Sequence, residues 1–256
     1  MPDSSNPQPD YGDPQPDYGN SQPNYRTIYK TQAGKFDLLV SREDYQGNVL
    51  RALQRVRPLD GLDVIELGAG TGRLTRMMAS LVKTILAIDI SPHMLDVAVT
   101  RFKGVSLPNW TVVVADNRTL PVADHAADLS IAAWSLGHFT SWYPETWRDG
   151  IERVLAHMKR VVRPGGSVII IETLGTGAEA PQPPTEALAA YYASLEGEHG
   201  FSRTWIRTDY RFASLPEAED LTRFFFGDDL ADRVAREELV VLPECTGIWY
   251  REEGIS

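Results

Sequence analysis

The chain has 256 residues, 43% of them hydrophobic and 23% charged, the balance of a globular protein large enough to bury a sizeable core. A formal charge of -10 argues against a general binder of nucleic-acid backbones. Cys245 is the single cysteine, which excludes an intramolecular disulfide and a cysteine-cluster metal site, so no metal is expected and a reducing compartment is.

Residues 1–25 read as a tail distinct from the domain over 26–256. They lack Lys and Arg and repeat three times: Gln8-Pro9-Asp10-Tyr11-Gly12, Gln15-Pro16-Asp17-Tyr18-Gly19 and Gln22-Pro23-Asn24-Tyr25. Short copies rich in Pro, Gly and Asp bury no core, so a disordered or polyproline-like extension is expected, with a tyrosine-bearing partner motif as the alternative use. No apolar run is long enough to span a bilayer and no secretory leader is visible, so a cytoplasmic location without membrane partners is expected. Ordered structure is expected from about Tyr29.

From Asp63 onward strands and helices alternate. Asp63–Leu67 reads as a short buried strand, and Leu74, Met77, Met78 and Leu81 then recur at helical spacing. Thr84–Ile90 is a second strand. Ser91-Pro92 supplies an N-cap and a proline at the first helical position, opening a helix that turns Met94, Leu95 and Ala98 inward. Thr111–Ala115 and Asp128–Trp134 are strands three and four. Trp147, Ile151, Val154, Leu155 and Met158 mark one face of a helix that stops at Arg163-Pro164-Gly165-Gly166, and Ser167–Glu172 is strand five. Alternation with nearly continuous apolar strands predicts an α/β fold, a parallel sheet covered on both faces.

Beyond strand five the pattern changes. A helix carrying Leu188, Tyr191, Tyr192 and Leu195 is followed by a half-exposed strand in which Ile206, Thr208, Tyr210 and Phe212 alternate with charged residues. Ser214 and Glu217 form a capping box for a helix towards Phe226, a second helix covers about Asp229–Glu238, and an apolar strand Leu239–Leu242 resumes through Ile248–Tyr250. The stretch 175–238, opening on Gly175-Thr176-Gly177 and Pro181-Gln182-Pro183-Pro184, is the expected substrate lid, with a rigid insertion as the alternative.

Strand one runs into Glu66-Leu67-Gly68-Ala69-Gly70-Thr71-Gly72-Arg73. A glycine-rich strand-to-helix turn lets a ligand approach the backbone and offers helix N-terminal amides. Asp89 ends strand two, where a carboxylate accepts hydrogen bonds from a ribose diol, and Asp116 ends strand three on the same rim. The dinucleotide fingerprint G-x-G-x-x-G would place its third glycine at Arg73, and Glu66 is an unhelpful neighbour for a pyrophosphate. A nucleoside bearing a cation, S-adenosyl-L-methionine (SAM), fits better.

These residues resemble the class I SAM-dependent methyltransferases, of the type 11 or ubiquinone-menaquinone methyltransferase kind. The resemblance spans Asp63–Thr173. Glu66–Gly72 reads as the E/D-x-G-x-G-x-G loop, Asp89 as the ribose acid and Asp116-Asn117 as the adenine-facing pair. Leu120–Asp124 with Ala127–Leu129 resembles an LPF-x-D…FD-x-V segment, with Val122 and Ala127 replacing its aromatics. Arg160–Gly166 resembles an LRPGG turn. The resemblance implies a seven-stranded Rossmann-like sheet of order 3-2-1-4-5-7-6, the seventh strand antiparallel. It also implies SAM as cofactor, S-adenosyl-L-homocysteine as product and a helix folded over the cofactor near Tyr29 and Phe36-Asp37. Cofactor contacts are expected from Tyr29, Glu66, Gly68, Ala69, Gly70, Thr71, Gly72, Asp89, Ile90, Asp116, Asn117 and Trp134.

Methyl transfer needs alignment more than a fixed catalytic motif. His138 after strand four is the candidate base, set against a structural histidine, and His199 is a second. Glu172 at the end of strand five is a candidate for holding an acceptor amine or hydroxyl, or for pairing with an arginine. Trp134, Trp142, Tyr143, Trp147, Tyr191 and Tyr192 suggest an aromatic-lined pocket for a small, aromatic or hydrophobic acceptor. A protein or RNA methyltransferase, a non-catalytic SAM-binding regulator and an NAD-dependent oxidoreductase are the alternatives.

Overall fold

Residues 23–103 and 109–254 are described by the computed structural model, so the tail reading for residues 1–22 lies outside the described residues. Tyr25, the last residue of that tail, opens α1 (Tyr25–Thr31), and the Asn24 side chain caps it by accepting from the Thr27 amide. α2 (Ala33–Val40) and α3 (Asn48–Val56) follow. The helix that the resemblance implies near Tyr29 and Phe36-Asp37 is two helices, α1 and α2, each short and helical against partners remote in the chain.

The strands are β1 (Asp63–Leu67), β2 (Thr84–Asp89), β3 (Trp110–Val114), β4 (Ala127–Ala133), β5 (Val162–Thr176), β6 (Ser202–Arg207), β7 (Tyr210–Arg211), β8 (Val241–Leu242) and β9 (Glu244–Glu252). Seven form one sheet in the order β3-β2-β1-β4-β5-β9-β6, with β9 antiparallel to both neighbours. β9 is the last strand of this sheet in the chain, so the expected 3-2-1-4-5-7-6 order holds. Between the strands run α4 (Arg73–Met78), α5 (Pro92–Phe102), α6 (His138–Trp142) and α7 (Trp147–Val161), and then α8 (Glu186–Gly197), α9 (Leu215–Phe226) and α10 (Asp228–Arg236). Ser91 caps α5 by accepting from the Met94 amide, as its position before Pro92 predicts.

Two cores cover the two sheet faces. Ile65, Leu67, Ile170 and Trp249 bury one face against α7 and α8, while Val64, Ile85, Leu129 and Ile169 bury the other against α3, α4 and α5. The alternation predicted over Ile206–Phe212 does not make one strand. Thr208 is fully buried, its hydroxyl 2.6 Å from that of Thr246, and the chain breaks there. β6 stays on the main sheet, whereas β7 pairs with β8 in a separate ribbon. Leu239–Leu242 therefore shrinks to β8, and the strand expected at Ile248–Tyr250 is the much longer β9.

The segment 175–238 divides between body and roof. Tyr191, Tyr192 and Leu195 of α8 belong to the main core, so this part packs with the body. α9, α10 and the ribbon instead share a small core with Leu39 of α2, through Tyr210, Phe212, Ala218, Leu221, Val234 and Leu242. Ser214 caps α9 through the Glu217 amide, and the Glu217 carboxylate reaches back to the Ala213 amide, completing the predicted capping box one residue early. The roof lies over the C-terminal ends of the parallel strands, where open α/β sheets bind ligands.

Candidate functional site

The glycine loop is held by its own geometry. Gly68, Gly70 and Gly72 all have positive φ, at 69, 56 and 77°. A Cβ on Gly68 would lie 2.4 Å from Ser135 Cβ, and one on Gly72 would lie 2.9 Å from the Phe102 ring. The Ala69 amide donates to Ile88 O and the Gly70 amide to Asp89 Oδ2, at 2.9 and 2.8 Å. The Ser91 amide donates to the other Asp89 oxygen at 2.8 Å. Asp89 thus joins the loop after β1 to the turn after β2, and burial raises its pKa above the usual carboxylate range.

The other expected cofactor residues gather around the same opening. Glu66 is buried beneath the loop, accepts from Thr75 Oγ1 at 2.5 Å, and is pushed by burial up to about 8. Asp116 lines the cavity; burial raises its pKa, but the Arg118 guanidinium at 2.6 Å and the Arg118 amide engage its carboxylate and hold the pKa below its ordinary value. Asn117 Oδ1 and Thr71 Oγ1 are buried without a hydrogen-bond partner. Trp134, at φ 49°, donates its amide to Ile171 O and lies under the Arg73 guanidinium, 4.3 Å from the ring centroid. A bulky residue at positive φ is held there by its surroundings, and such strain concentrates at functional sites.

All of these except Gly72 line one cavity of about 830 Å³, together with Tyr29, Ile90, His138 and Glu172. Gly72 lies instead behind the loop, against Phe102 and Arg101. Towards β4 and β5 the wall becomes aromatic. The Tyr29 hydroxyl lies 2.9 Å from His138 Nε2, and the His138 ring stacks on Trp142 at 4.8 Å and 10°. Burial pushes His138 down to about 4, so the imidazole is uncharged at neutral pH. Glu172 does not meet an arginine. It accepts the Gly137 amide at 2.8 Å and is bonded by the Ser135 and Leu136 amides, while burial pushes it up to about 8. Its carboxylate therefore pins the turn that carries His138.

Several expected residues fall elsewhere. Tyr191 and Tyr192 are in the main core, Trp147 packs edge-on to Tyr191, and none of the three lines the cavity. Helical spacing alone does not tell a core aromatic from a pocket aromatic. His199 is outside the cavity, 3.4 Å from Glu152. In their place stand Tyr25, Phe36, Phe139, Phe225 and Phe226. Phe225 brings the roof onto the N-terminal helices, with ring centroids 5.0 Å from Tyr25 and 5.3 Å from Phe36. The sequence also gave no sign of a buried polar group at the β5–β9 end. There Arg73 donates to Glu43 Oε2 at 2.6 Å, Tyr210 donates to the same oxygen at 3.0 Å, and Glu244 accepts from Thr173. These residues come from five distant segments, and only their folding brings them together.

Residues 65–170 match the family model described as a methyltransferase domain. A malonyl-(acyl-carrier protein) O-methyltransferase from Serratia marcescens is 28% identical over 150 residues, covering 59% of this chain and 52% of that protein. A demethylmenaquinone methyltransferase from Tropheryma whipplei is 31% identical over 112 residues, covering 44% of this chain and 42% of that one. The chain spans about half the length of these curated relatives. A SAM-dependent methyltransferase structure from Aquifex aeolicus shares the fold, with a TM-score of 0.50 and 15% identity over 78% of this chain and 87% of that one. The matched segment carries most of β1 to β5 and the rim on which the glycine loop, Asp89 and Asp116 converge, so the part of the chain that resembles SAM-dependent methyltransferases is the part that builds this rim.

Proposed function

We propose that this protein methylates an O, N or C atom of a small acceptor with an aromatic or hydrophobic body, releasing S-adenosyl-L-homocysteine. The observation that carries this reading is the single cavity joining the glycine loop and Asp89 to the Tyr29, His138, Trp142 and Phe225 wall. Its volume of about 830 Å³ falls in the range of small-molecule sites, about 300–1,000 Å³. The relatives' names, a malonyl group on a carrier protein and a demethylated menaquinone, are compatible with small acceptors. No described helix is long and apolar enough to cross a membrane.

The residues present suit the cofactor. Thr71 Oγ1 and Asn117 Oδ1 retain unused hydrogen-bonding capacity, and Asp89 keeps lone pairs beyond those given to Gly70 and Ser91. Asp89 would hold ribose hydroxyls, Asn117 the base, and the glycine-loop amides with Glu66 the methionine end. When bound, SAM supplies a methyl group activated on a sulfonium. The chain supplies orientation, which accounts for much of the rate in a displacement of this type. Its roof lies over the site, and the neutral Tyr29–His138 pair offers a donor and an acceptor to a polar atom of the substrate.

Titration calorimetry with S-adenosylhomocysteine, alongside a labelled-methyl assay on size-fractionated lysate, tests the reading. Asp89→Ala removes a buried, charged hydrogen-bonding group, and the expected loss of affinity is about tenfold to a hundredfold. Label is expected in the low-mass fraction. No binding by the wild-type protein, or label confined to macromolecules, would reject it.

A further inference from the structure

Among the described residues, every charged side chain that is fully buried is acidic: Asp37, Glu43, Asp44, Glu66, Asp89, Glu172 and Glu244. Two have roles outside the cavity, since Asp37 pairs with Arg101 and Asp44 caps α3 through the Asn48 and Val49 amides. The other five line the cavity. Of these only Glu43 has an ion-pair partner, Arg73. Of the other basic residues of the wall, Arg118 is bound by Asp116, and the Arg26 guanidinium lies 5.3 Å over the Trp142 ring.

Buried carboxylates without countercharge are costly unless a ligand supplies it. Glu66 and Asp89 lie at the ends of β1 and β2, beside the cofactor loop. Glu244 lies at the start of β9, opposite Thr176 of β5, four strands along from β2. At a strand spacing of about 4.8 Å this places it about 19 Å across the rim from Asp89. One Glu244 oxygen accepts from Thr173 at 2.6 Å, while Oε2 is buried with no partner, and so is Oε1 of neighbouring Glu43. Both side chains are more than nine-tenths buried and both line the cavity. Burial, with the nearby Glu43 charge adding to it, pushes Glu244 up to about 8, against the opposing pull of the Thr173 and Thr176 hydroxyls and of the Arg73 charge. Tyr210 and Phe226 stand in the same wall and offer ring faces.

We propose that the methyl acceptor carries a basic amine, anchored as its ammonium by Glu244 and Glu43 at the β9 end of the cavity, with an aromatic body lying towards Trp134 and the roof. The proposal rests on the methyltransferase reading above and names the substrate class of that site. Two unpartnered carboxylate oxygens provide the acceptors that an ammonium needs, and Arg73 keeps the pair from carrying two net charges. A carboxylate-bearing acceptor meets repulsion here, and a neutral one leaves both oxygens unsatisfied.

The test uses three probes with one body and different charge, 2-phenylethylamine, 2-phenylethanol and phenylacetate, titrated into the full chain with and without saturating S-adenosylhomocysteine. The amine is expected to bind about tenfold more tightly than the alcohol, with phenylacetate weakest, and Glu244→Gln is expected to abolish that preference. S-adenosylhomocysteine affinity is expected to stay within about twofold in Glu244→Gln, since charged hydrogen bonds act at contact range. Glu43→Gln provides a second variant, with a thermal melt confirming that each is folded. Equal or weaker binding of the amine, or a preference that survives both variants, would overturn the proposal. Loss of S-adenosylhomocysteine binding in Glu244→Gln would also overturn it, by assigning the cluster to the cofactor. Wild-type failure to bind S-adenosylhomocysteine would instead count against the underlying methyltransferase reading, which the titrations without cofactor keep separate.

Discussion

At Gly68 the backbone stands at φ 69° and an added Cβ would lie 2.4 Å from that of Ser135. Gly68→Ala therefore carries two separable costs, a left-handed backbone worth about 1–2 kcal/mol and a steric clash. Urea unfolding is expected to show Gly68→Ala clearly destabilised, with Ser135→Gly in the same chain recovering the clash and leaving the backbone share. An unchanged midpoint in the single variant contradicts this. The buried glutamates set a pH dependence. Glu66, Glu172 and Glu244 bind protons up to about 8 in the folded chain but release them near 4.5 when unfolded. The folded state thus holds more protons, and stability falls as pH rises from 4.5 to 8. His138, lowered from 6.5 to about 4, works in the opposite direction only below pH 6.5. Above pH 6.5 the opposing share of His138 has ended while that of the glutamates continues, each contributing a slope of at most about 1.4 kcal/mol per pH unit. Glu66→Gln is expected to flatten that fall in unfolding experiments at the two pH values, and an unaltered slope would count against it.

Among the elements, the path from β1 through the glycine loop to β2 was legible in the sequence, because apolar runs, glycines and an N-cap act locally. Most predicted ends there and in strands three and four lie within one residue of those observed. α4 is an exception, stopping at Met78, where the Leu81 and Val82 amides both turn back to the Met78 carbonyl and leave predicted Leu81 outside the helix. The roof was less legible. α1 and α2 meet α9 through Tyr25, Tyr29, Phe36 and Phe225, residues separated by about the whole domain, and no local spacing announces such a contact. Nor did the alternation around Tyr210 reveal that Thr208 would end β6, since its partner Thr246 lies on the last strand. Phe225→Ala removes the ring at this junction. It is expected to raise the Michaelis constant for the acceptor, with S-adenosylhomocysteine affinity unchanged and a stability loss below the about 3–5 kcal/mol of a fully buried Phe. Loss of cofactor affinity equal to the loss for acceptor would show instead that the junction serves both.

Taken whole, the molecule couples a large, two-faced sheet core to a small roof core. Among the described residues, seven buried hydrophobic side chains hold the roof, against 22 and 18 on the two faces of the sheet. Opening free energies follow buried apolar contact, so the roof is the part expected to open first. Hydrogen exchange should show amides of α1, α9 and α10 exchanging faster than those of β4 and β5, with S-adenosylhomocysteine slowing the helices. Uniform protection across the chain would refute a separable roof.

Arg73 fastens these two parts. It begins the helix after the glycine loop, covers Trp134, and grips Glu43, which Tyr210 of the roof ribbon also holds. Positions 43, 73 and 210 consequently form a three-part clasp with a single shared oxygen. A sequence that drifts at one of them is left with a stranded charge or hydroxyl until another changes to suit, so related chains should exchange these three residues as a set.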